Sequence, residues 1–316
     1  MAGHPTLDYA DANAIKANFD QIYHQPDPRA YYAVLGGLDY VIPEVARPAF
    51  LQLADRLIED LGRPITILDI GCSYGVNAAL MRHGVNLAQL RERYLSPSLD
   101  GISGARLAEL DSRYFLSWPT RKDIRFVGLD CEKDAIGYAI QAGLLDAGLT
   151  ANLETDAAPR ALEALVRDVD LVISTGAVGY ITEKTFEKIL NAMPDGRTPW
   201  FASFVLRMFE YDKITAMLEE HGLGTEKFPG ATFVQRRFKD RAEFEHVMSV
   251  LKALGVDATG KEAEGLFHAE LFVSRQPEAI AAEPLTEIVS LTSGGARQFG
   301  DRHRRGRAQS QIALSA

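Results

Sequence analysis

The sequence contains little cysteine. Its 316 residues include only two, Cys72 and Cys131, which is too few for a disulfide framework or a cysteine metal cluster. It also lacks a long hydrophobic run, because no apolar stretch has the length that spans a bilayer. The first residues, MAGHPTLDYADAN, lack the basic and then apolar pattern of a secretory signal. We therefore expect a reduced, cytoplasmic protein without a membrane partner.

Positive charge is also scarce. Lys and Arg number 34 against 43 Asp and Glu, which gives a net charge of −9 and a pI of about 5.4. Proteins that bind a phosphate backbone have the opposite balance, so we expect no nucleic-acid partner. No set of His, Asp and Glu residues has the spacing of metal ligands, which predicts no metal site. The 47% hydrophobic content suffices for one large α/β domain or two smaller ones.

The most informative stretch is residues 65–75, ITILDIGCSYG. Ile65–Leu68 are apolar or β-branched, which favours a buried strand, and residues 76–81 have helical character. A strand, a glycine loop and a helix together form a unit that cradles nucleotides. A dinucleotide fingerprint would continue with glycine at positions 73 and 76, but Ser73 and Val76 occupy them.

The spacing of Asp69, Gly71 and Gly75 resembles the first motif of class I S-adenosylmethionine (SAM)-dependent methyltransferases. The resemblance implies that the loop cradles the methionine part and the ribose of SAM. The cofactor-binding candidates on this loop are Asp69, Gly71, Cys72, Ser73 and Gly75. The alternative is a glycine turn between a strand and a helix of any α/β protein.

A second predicted strand ends in an acid. Residues 124–130, IRFVGLD, precede a predicted helix, and the two carboxylate oxygens of Asp130 can accept both hydroxyl groups of a ribose. This pattern resembles the second methyltransferase motif and adds Asp130 and Cys131 to the cofactor-binding candidates. A solvated aspartate at a strand end is the alternative. The interval from Asp69 to Asp130 is much longer than the usual ~20 residues. Either the match is accidental or an insertion lies between the two motifs, and we predict a helical insertion at about residues 84–122.

Two further loops complete the predicted cofactor side. In the methyltransferases an acid near the end of the third strand often accepts from the adenine amine. Glu154 is the candidate here, with Asp156 or a plain surface acid as alternatives. A buried fourth strand at residues 168–174 leads into a loop with two glycines. The resemblance makes this loop a source of cofactor-binding candidates, Ser174, Thr175 and Gly176, and of one substrate-binding candidate, Tyr180.

About 60 residues precede the first predicted strand. Helical spacing is present at about residues 8–24 and 43–61. In small-molecule methyltransferases such extensions commonly cover the active site. The resemblance therefore implies substrate-side candidates here, namely Tyr23, Arg29, Tyr31 and Tyr32. For each aromatic residue a place in the core is an equally good interpretation.

Alternating strands and helices predict an α/β fold with a Rossmann-like, doubly wound and mostly parallel sheet of seven strands. The resemblance implies that the last two strands, at residues 232–238 and 265–274, form an antiparallel hairpin. We assign residues 1–62 to a helical extension that covers the active site and 63–276 to the SAM-binding domain. Residues 277–316 are predicted to be a disordered, arginine-rich tail.

The resemblance implies a SAM-dependent methyltransferase that acts by direct displacement on oxygen, nitrogen or carbon of a small organic molecule. The fourth-strand loop lacks the Asn/Asp-Pro-Pro-Tyr signature of nucleic-acid amino methyltransferases and the paired glutamates of protein arginine methyltransferases. A small-molecule substrate is the expected partner, and a homodimer is the one oligomeric state that we propose for the chain. No catalytic residue is assigned, but His24, His268 and Tyr180 are base candidates, with a core role as the alternative for His268. A SAM-binding protein without catalysis and a nucleotide-binding oxidoreductase stay open.

Overall fold

A computed structural model describes residues 20–291 of the chain, with side chains described from Gln21 onward. Within this range the chain forms eight strands. They are β1 (Ile65–Ile70), β2 (Ile124–Asp130), β3 (Ala147–Thr150), β4 (Val169–Thr175), β5 (Trp200–Leu206), β6 (Gly224–Lys227), β7 (Phe233–Arg237) and β8 (Leu266–Arg275).

Helices separate most of these strands. They are α1 (Asp20–Tyr23), α2 (Arg29–Gly37), α3 (Ile42–Leu61), α4 (Val76–Arg82), α5 (Leu87–Tyr94), α6 (Gly104–Leu116), α7 (Lys133–Gln141), α8 (Ala161–Val166), α9 (Glu183–Asn191), α10 (Asp212–Glu220), α11 (Arg241–Ala253), α12 (Pro277–Ala282) and α13 (Leu285–Ile288). Within residues 20–291 no helix combines the length and the apolar character needed to cross a membrane.

The strands form one sheet in the order β3-β2-β1-β4-β5-β8-β6, with β7 also paired to β8. β1 to β5 are parallel, and β8 runs antiparallel to β5. β6 and β7 pair with opposite ends of β8, both on the edge away from β5. The predicted Rossmann-like, mostly parallel α/β fold is confirmed, and so is the antiparallel pairing of the last two predicted strands.

The predicted count of seven strands was wrong by one. The extra strand is β6, whose four residues, Gly-Thr-Glu-Lys, are only partly buried. Such a short polar segment has no strand periodicity of its own, and it is a strand because the C-terminal half of β8 offers backbone partners. β6 and β7 together fill one strand position along β8, so the sheet keeps seven positions.

Both faces of the sheet are covered by hydrophobic cores. Ile65 and Ile67 of β1 pack into one core, and Leu68 and Ile70 pack into the other, because successive strand side chains point to opposite faces. Burial on both faces explains the continuous apolar run from which β1 was predicted. The long helix α3 packs across β1 and β4 on the first face.

The insertion between α4 and β2 is helical, as predicted, and contains α5 and α6. Its anchor is Asp111, which is fully buried. The Asp111 carboxylate accepts hydrogen bonds from Arg93 Nε at 2.7 Å, from the Tyr94 hydroxyl at 2.9 Å and from the Tyr138 hydroxyl. These contacts bind both insertion helices to α7, because a buried carboxylate is stable only when its oxygens accept hydrogen bonds.

The predicted disorder from residue 277 onward was wrong for residues 277–291. This segment forms α12 and α13, and Leu285 and Val289 are each only 1% exposed. These two apolar residues are four apart, so they share one helical face and bury it against the first core. Residues 292–316, with the five arginines, lie outside the described range, as do residues 8–19 of the predicted first helix.

Candidate functional site

A cavity of about 400 Å³ opens at the carboxyl ends of the parallel strands. It lies where the strand order reverses, since β2 and β3 continue from one side of β1 and β4 and β5 from the other. Open α/β sheets bind ligands at such a switch point. The glycine loop, the ends of β2 and β4, the loop after β3, the N-terminal helices and β7 all contribute to its lining.

Most of the predicted cofactor-binding residues meet in this cavity. Those that line it are Gly71, Cys72, Ser73, Asp130, Cys131, Glu154, Thr175 and Gly176. Asp69, Gly75 and Ser174 do not line it. On the predicted substrate side Tyr23, Tyr31 and Tyr180 line the cavity, whereas Arg29 and Tyr32 do not.

The glycine loop makes a tight approach to the loop after β4. Gly71 has φ +69°, and a Cβ atom there would lie 2.9 Å from the Cβ of Ala177. Ser73 also has a left-handed backbone, with φ +49°, which is unusual for a residue with a side chain. Gly75, at φ +77°, faces away, because its missing Cβ would lie 3.1 Å from Leu144 Cβ. Gly75 thus allows the start of α4 to pack closely on Leu144. This role differs from the predicted contact with the cofactor.

Asp130 holds two loops in place at the end of β2. One carboxylate oxygen accepts from the backbone N–H of Ser73 at 2.7 Å, and the other accepts from that of Glu132 at 3.0 Å. Burial raises the pKa of Asp130, while these hydrogen bonds oppose the rise. A carboxylate has about four acceptor positions, so both oxygens can still accept from a ligand in the cavity.

Asp69 lies beneath the glycine loop and is completely buried. Its two oxygens accept from Nδ2 of Asn77 at 3.1 and 3.2 Å, and the same nitrogen donates to Thr175 Oγ1 at 3.1 Å. Burial raises the pKa of Asp69 to about 8. Asp69 therefore supports the two loops from behind, where the resemblance had implied a direct contact with the cofactor.

Three buried side-chain oxygens around the cavity have no hydrogen-bond partner among residues 21–291: Ser73 Oγ, Asn77 Oδ1 and Gln235 Oε1. All three residues line the cavity. Buried polar atoms are nearly always paired in native proteins. An organic ligand with several polar groups would satisfy Ser73 Oγ and Asn77 Oδ1 beside the glycine loop, so these residues fit a polar cofactor.

Glu154 has a different set of partners from the predicted adenine amine. Its oxygens accept from the N–H and hydroxyl of Thr182, both at 2.8 Å, and from the hydroxyl of Thr185 at 2.5 Å. A carboxylate at the first turn of α9 accepts from the free N–H groups of that helix. It also interacts favourably with the positive end of the helix dipole. Glu154 still lines the cavity, next to Asn152 from the same loop, whereas the alternative Asp156 does not.

The N-terminal segment is attached to the glycine loop through Tyr74. The Tyr74 hydroxyl lies 2.9–3.1 Å from the carbonyl oxygens of Ile22, Tyr23 and Gln25. This contact holds Tyr23 against the cavity, and Tyr40 lines the same side from the connection between α2 and α3. The N-terminal segment is thus seated directly on the loop that carries Gly71 and Ser73.

The two remaining substrate-side candidates have structural roles. The guanidinium of Arg29 binds the Asp27 carboxylate at 2.7 Å and donates to the carbonyls of Leu99 and Ile102. It therefore joins α2 to the insertion and does not point into the cavity. The ring of Tyr32 stacks on Tyr94, with centroids 4.7 Å apart, inside the core.

Two lining residues from β7, Gln235 and Arg236, were not predicted. Val234 pairs with His268 and Arg236 with the adjacent Phe267, so Gln235 is the extra residue of a β-bulge. Bulges redirect side chains and are frequent beside active sites. The guanidinium of Arg236 is paired with Glu243 through two bonds, at 2.7 and 2.9 Å. The glycine loop is more than 150 residues away in sequence, so no local pattern links it to β7.

The base candidates are separated by the structure. His24 is exposed and does not line the cavity, although its Nδ1 lies 3.3 Å from Glu132, which does. His268 is buried in β8, its Nδ1 lies 3.0 Å from Thr232 Oγ1, and burial lowers its pKa to about 4. Of the three candidates only Tyr180 lines the cavity. No group of His, Cys, Asp and Glu within residues 20–291 is arranged to hold a metal ion.

The sheet and the cavity define a Rossmann-like α/β protein with a cavity lined in part by polar residues at its switch point. No family model and no curated protein matches the sequence. Similar solved structures include a plantazolicin methyltransferase in complex with a triazolic desmethyl-plantazolicin analogue and SAH (14% identity, 84% of this chain and 96% of that chain, TM-score 0.42). Magnesium protoporphyrin IX methyltransferase from Synechocystis PCC 6803 with bound SAM is also similar (13% identity, 87% of this chain and 100% of that chain, TM-score 0.38).

A third similar structure is precorrin-6y C5,15-methyltransferase from Geobacter metallireducens GS-15 (12% identity, 71% of this chain and 86% of that chain, TM-score 0.34). All three of these neighbours are methyltransferases. Their likeness to this chain assigns it neither an activity nor a substrate.

Proposed function

We propose that this chain is a SAM-dependent methyltransferase that transfers a methyl group to oxygen, nitrogen or carbon of a small organic acceptor by direct displacement. The observation that carries the proposal is the charge of the cavity. A glycine loop in a Rossmann-like fold opens onto a site lined by the three acids Asp130, Glu132 and Glu154.

This charge distribution discriminates between nucleotide cofactors. Arg236 is the basic residue in the lining, and Glu243 compensates its charge. SAM carries a positive sulfur and an ammonium group. One such charge 5 Å from one carboxylate gains roughly 3 kcal/mol at an effective dielectric constant of about 20. The pyrophosphate of a dinucleotide would be repelled by the same groups, which argues against the oxidoreductase alternative.

The lining residues suggest where each part of SAM would be held. Asp130 keeps acceptor positions for the ribose hydroxyls, as described above. Ser73 Oγ and Asn77 Oδ1 offer unpaired oxygens beside the glycine loop, which suits the ammonium and hydroxyl donors of the cofactor. Asn152 and Glu154, at the far end toward β3, would face the adenine.

When bound, SAM supplies a methyl group that is already activated by the positive sulfur. This chain then has to orient the acceptor and exclude water, and such positioning can contribute roughly 7–11 kcal/mol. We propose that the N-terminal extension, which Tyr74 holds over the glycine loop, provides this cover. A base is needed only if the acceptor keeps its proton at neutral pH, and Tyr180 is then the candidate from the lining.

Titration calorimetry with SAM, SAH and NAD tests the cofactor. We expect micromolar binding of SAM and SAH to the wild-type chain, no binding of NAD and much weaker SAM binding to Asp130→Asn. The matched control is Glu109→Gln, which changes an exposed acid on α6 outside the cavity and should leave binding unchanged. Binding of NAD in place of SAM would favour the oxidoreductase, and a flat titration with SAM and SAH would end the proposal.

Transfer is tested separately, with methyl-labelled SAM and a metabolite extract. Label that moves into a small molecule only in the presence of active protein supports catalysis. Tight SAM binding without any transfer, across extracts from several growth conditions, would instead favour the alternative of a SAM-binding protein without catalysis.

A further inference from the structure

The residues that line the cavity are of two chemical kinds, and we call these two groups its halves. The half at β1 to β3 holds the glycine loop, Asp130 and Asn152. The other half is walled mainly by rings and aliphatic groups, which are contributed by Tyr31, Leu35, Tyr40, Pro43 and Tyr180. The proposed cofactor is assigned to the first half, so we take the second half as the place of the methyl acceptor.

The tyrosines form a connected aromatic wall. The ring of Tyr31 meets the rings of Tyr23 and Tyr40 edge-on, with centroids 6.1 Å apart in both pairs. Edge-to-face and offset-stacked pairs are the favourable arrangements of aromatic rings. An aromatic acceptor would add further ring contacts of this kind to the wall.

Within this apolar half, Gln235 supplies an unpaired hydrogen-bond acceptor. It is only 5% exposed, and its Oε1 has no partner among residues 21–291. The backbone is fixed, because its carbonyl oxygen accepts from Val41 N at 2.8 Å. Its Nε2 lies beside Gly176, since a Cβ atom on that glycine would be 3.1 Å away. The orphaned oxygen therefore belongs to a side chain held between β7 and the loop after β4.

The charge of this half excludes a strongly anionic acceptor. Arg236 is 2% exposed and bound to the equally buried Glu243 through two nitrogens, so the pair is neutral as a unit. An anion would have to compete with Glu243 for the guanidinium and would leave that carboxylate uncompensated in the interior. A neutral donor group is what Gln235 Oε1 can accept without such a cost.

We propose that Gln235 determines acceptor specificity: the acceptor is a neutral aromatic compound that bears an O–H or N–H group, and this group donates to Gln235 Oε1 while the ring packs on the tyrosines. The inference rests on the proposed function only in placing the cofactor in the other half. Gln235 is here a positioning residue that selects the acceptor by one hydrogen bond.

The experiment measures small aromatic probes by ligand-observed NMR on the full chain saturated with SAH. The probes are matched pairs that differ in one donor, indole against 1-methylindole and phenol against anisole, with benzoate as the anion. We expect each donor to bind about tenfold more tightly than its methylated partner, the size of one buried hydrogen bond. Benzoate should bind more weakly than phenol.

The variant Gln235→Met keeps the length of the side chain and removes the acceptor. We expect it to bind SAH as the wild type does and to bind indole and 1-methylindole within twofold of each other. The matched control is Gln141→Met, at an exposed position on α7, which should keep the tenfold preference. A role of Gln235 in folding alone would lower the stability without changing the ratio of the two affinities.

The possible outcomes separate this inference from the proposed function. If the wild-type chain fails to bind SAH, the cofactor proposal fails before any probe is tested. If SAH binds and the donor preference is lost only in Gln235→Met, the inference is supported. If SAH binds but no probe does, or benzoate binds best, or Gln235→Met keeps the preference, the inference is overturned.

Discussion

The burial of Asp69 predicts that this carboxyl destabilises the ligand-free protein as the pH rises. Its ordinary pKa is 3.8 and burial raises the pKa to about 8 in the folded chain. Between these values the folded protein holds a proton that the unfolded chain has released. Unfolding then releases a proton, so each rise in pH favours the unfolded state. The contribution of Asp69 to stability is greatest below about pH 4, declines up to about pH 8 and is constant above that.

The magnitude follows from the same pKa values. One pH unit within this window corresponds to 1.36 kcal/mol, so the contribution falls by about 4 kcal/mol between pH 5 and pH 8. Asp69→Asn removes the ionisable group but keeps an oxygen that can accept from Asn77. We therefore expect the difference in unfolding free energy, variant minus wild type, to increase by about 4 kcal/mol over this range.

Urea denaturation followed by circular dichroism provides the measurement, at half-unit steps from pH 5 to pH 9 and constant ionic strength. Glu109→Gln is the control, because it removes an acid whose side chain is 63% accessible. This variant should not alter the slope of the unfolding free energy against pH between pH 5 and pH 9. If the curves of unfolding free energy against pH were parallel for wild type and Asp69→Asn, Asp69 would ionise normally. That result would refute the claim that burial raises its pKa.

Three further predictions concern the loops around the cavity. Asp130→Asn should weaken SAM binding by about 2 kcal/mol, roughly 30-fold in the calorimetric Kd, because it removes a charged acceptor; an unchanged Kd would remove Asp130 from the site. Gly71→Ala should lower the unfolding free energy by about 1–2 kcal/mol in urea titrations, since φ is +69° and the new Cβ would meet Ala177 at 2.9 Å; equal stability would contradict this loop geometry. Tyr74→Phe should speed proteolysis next to Gln25, because the hydroxyl no longer binds the carbonyls of the N-terminal segment; unaltered cleavage would mean that other contacts hold the segment.

Several elements of the fold could be read from local patterns. β1 and β4 are short apolar runs buried on both faces, and the insertion that contains α5 and α6 was predicted to be helical. β6 could not be predicted, because its four polar residues become a strand only by pairing with β8. The packing of residues 277–291 was also missed, since two apolar residues four apart are a weak signal without the surface that covers them.

The candidate site divides in the same way. Gly71, Ser73 and Asp130 were identified because their chemistry is tied to a strand end that the sequence displays directly. The residue type of Arg29 and His24 was misleading, because neither lines the cavity: Arg29 pairs with Asp27, and His24 is exposed beside Glu132. A charged or aromatic residue near a predicted site carries no information about the direction in which its side chain points.

By itself, the sequence determined the strand, glycine loop and helix unit at Asp69 to Gly75 and the acid that ends β2. These are local features, because glycine spacing and apolar periodicity act over a few residues of backbone. Only the tertiary structure decided that Gln235 and Arg236 face that loop. Their position depends on the order of strands in the sheet and on one bulge in β7. Such long-range pairing is set by which surfaces are buried together, a property of the whole chain and of no single segment.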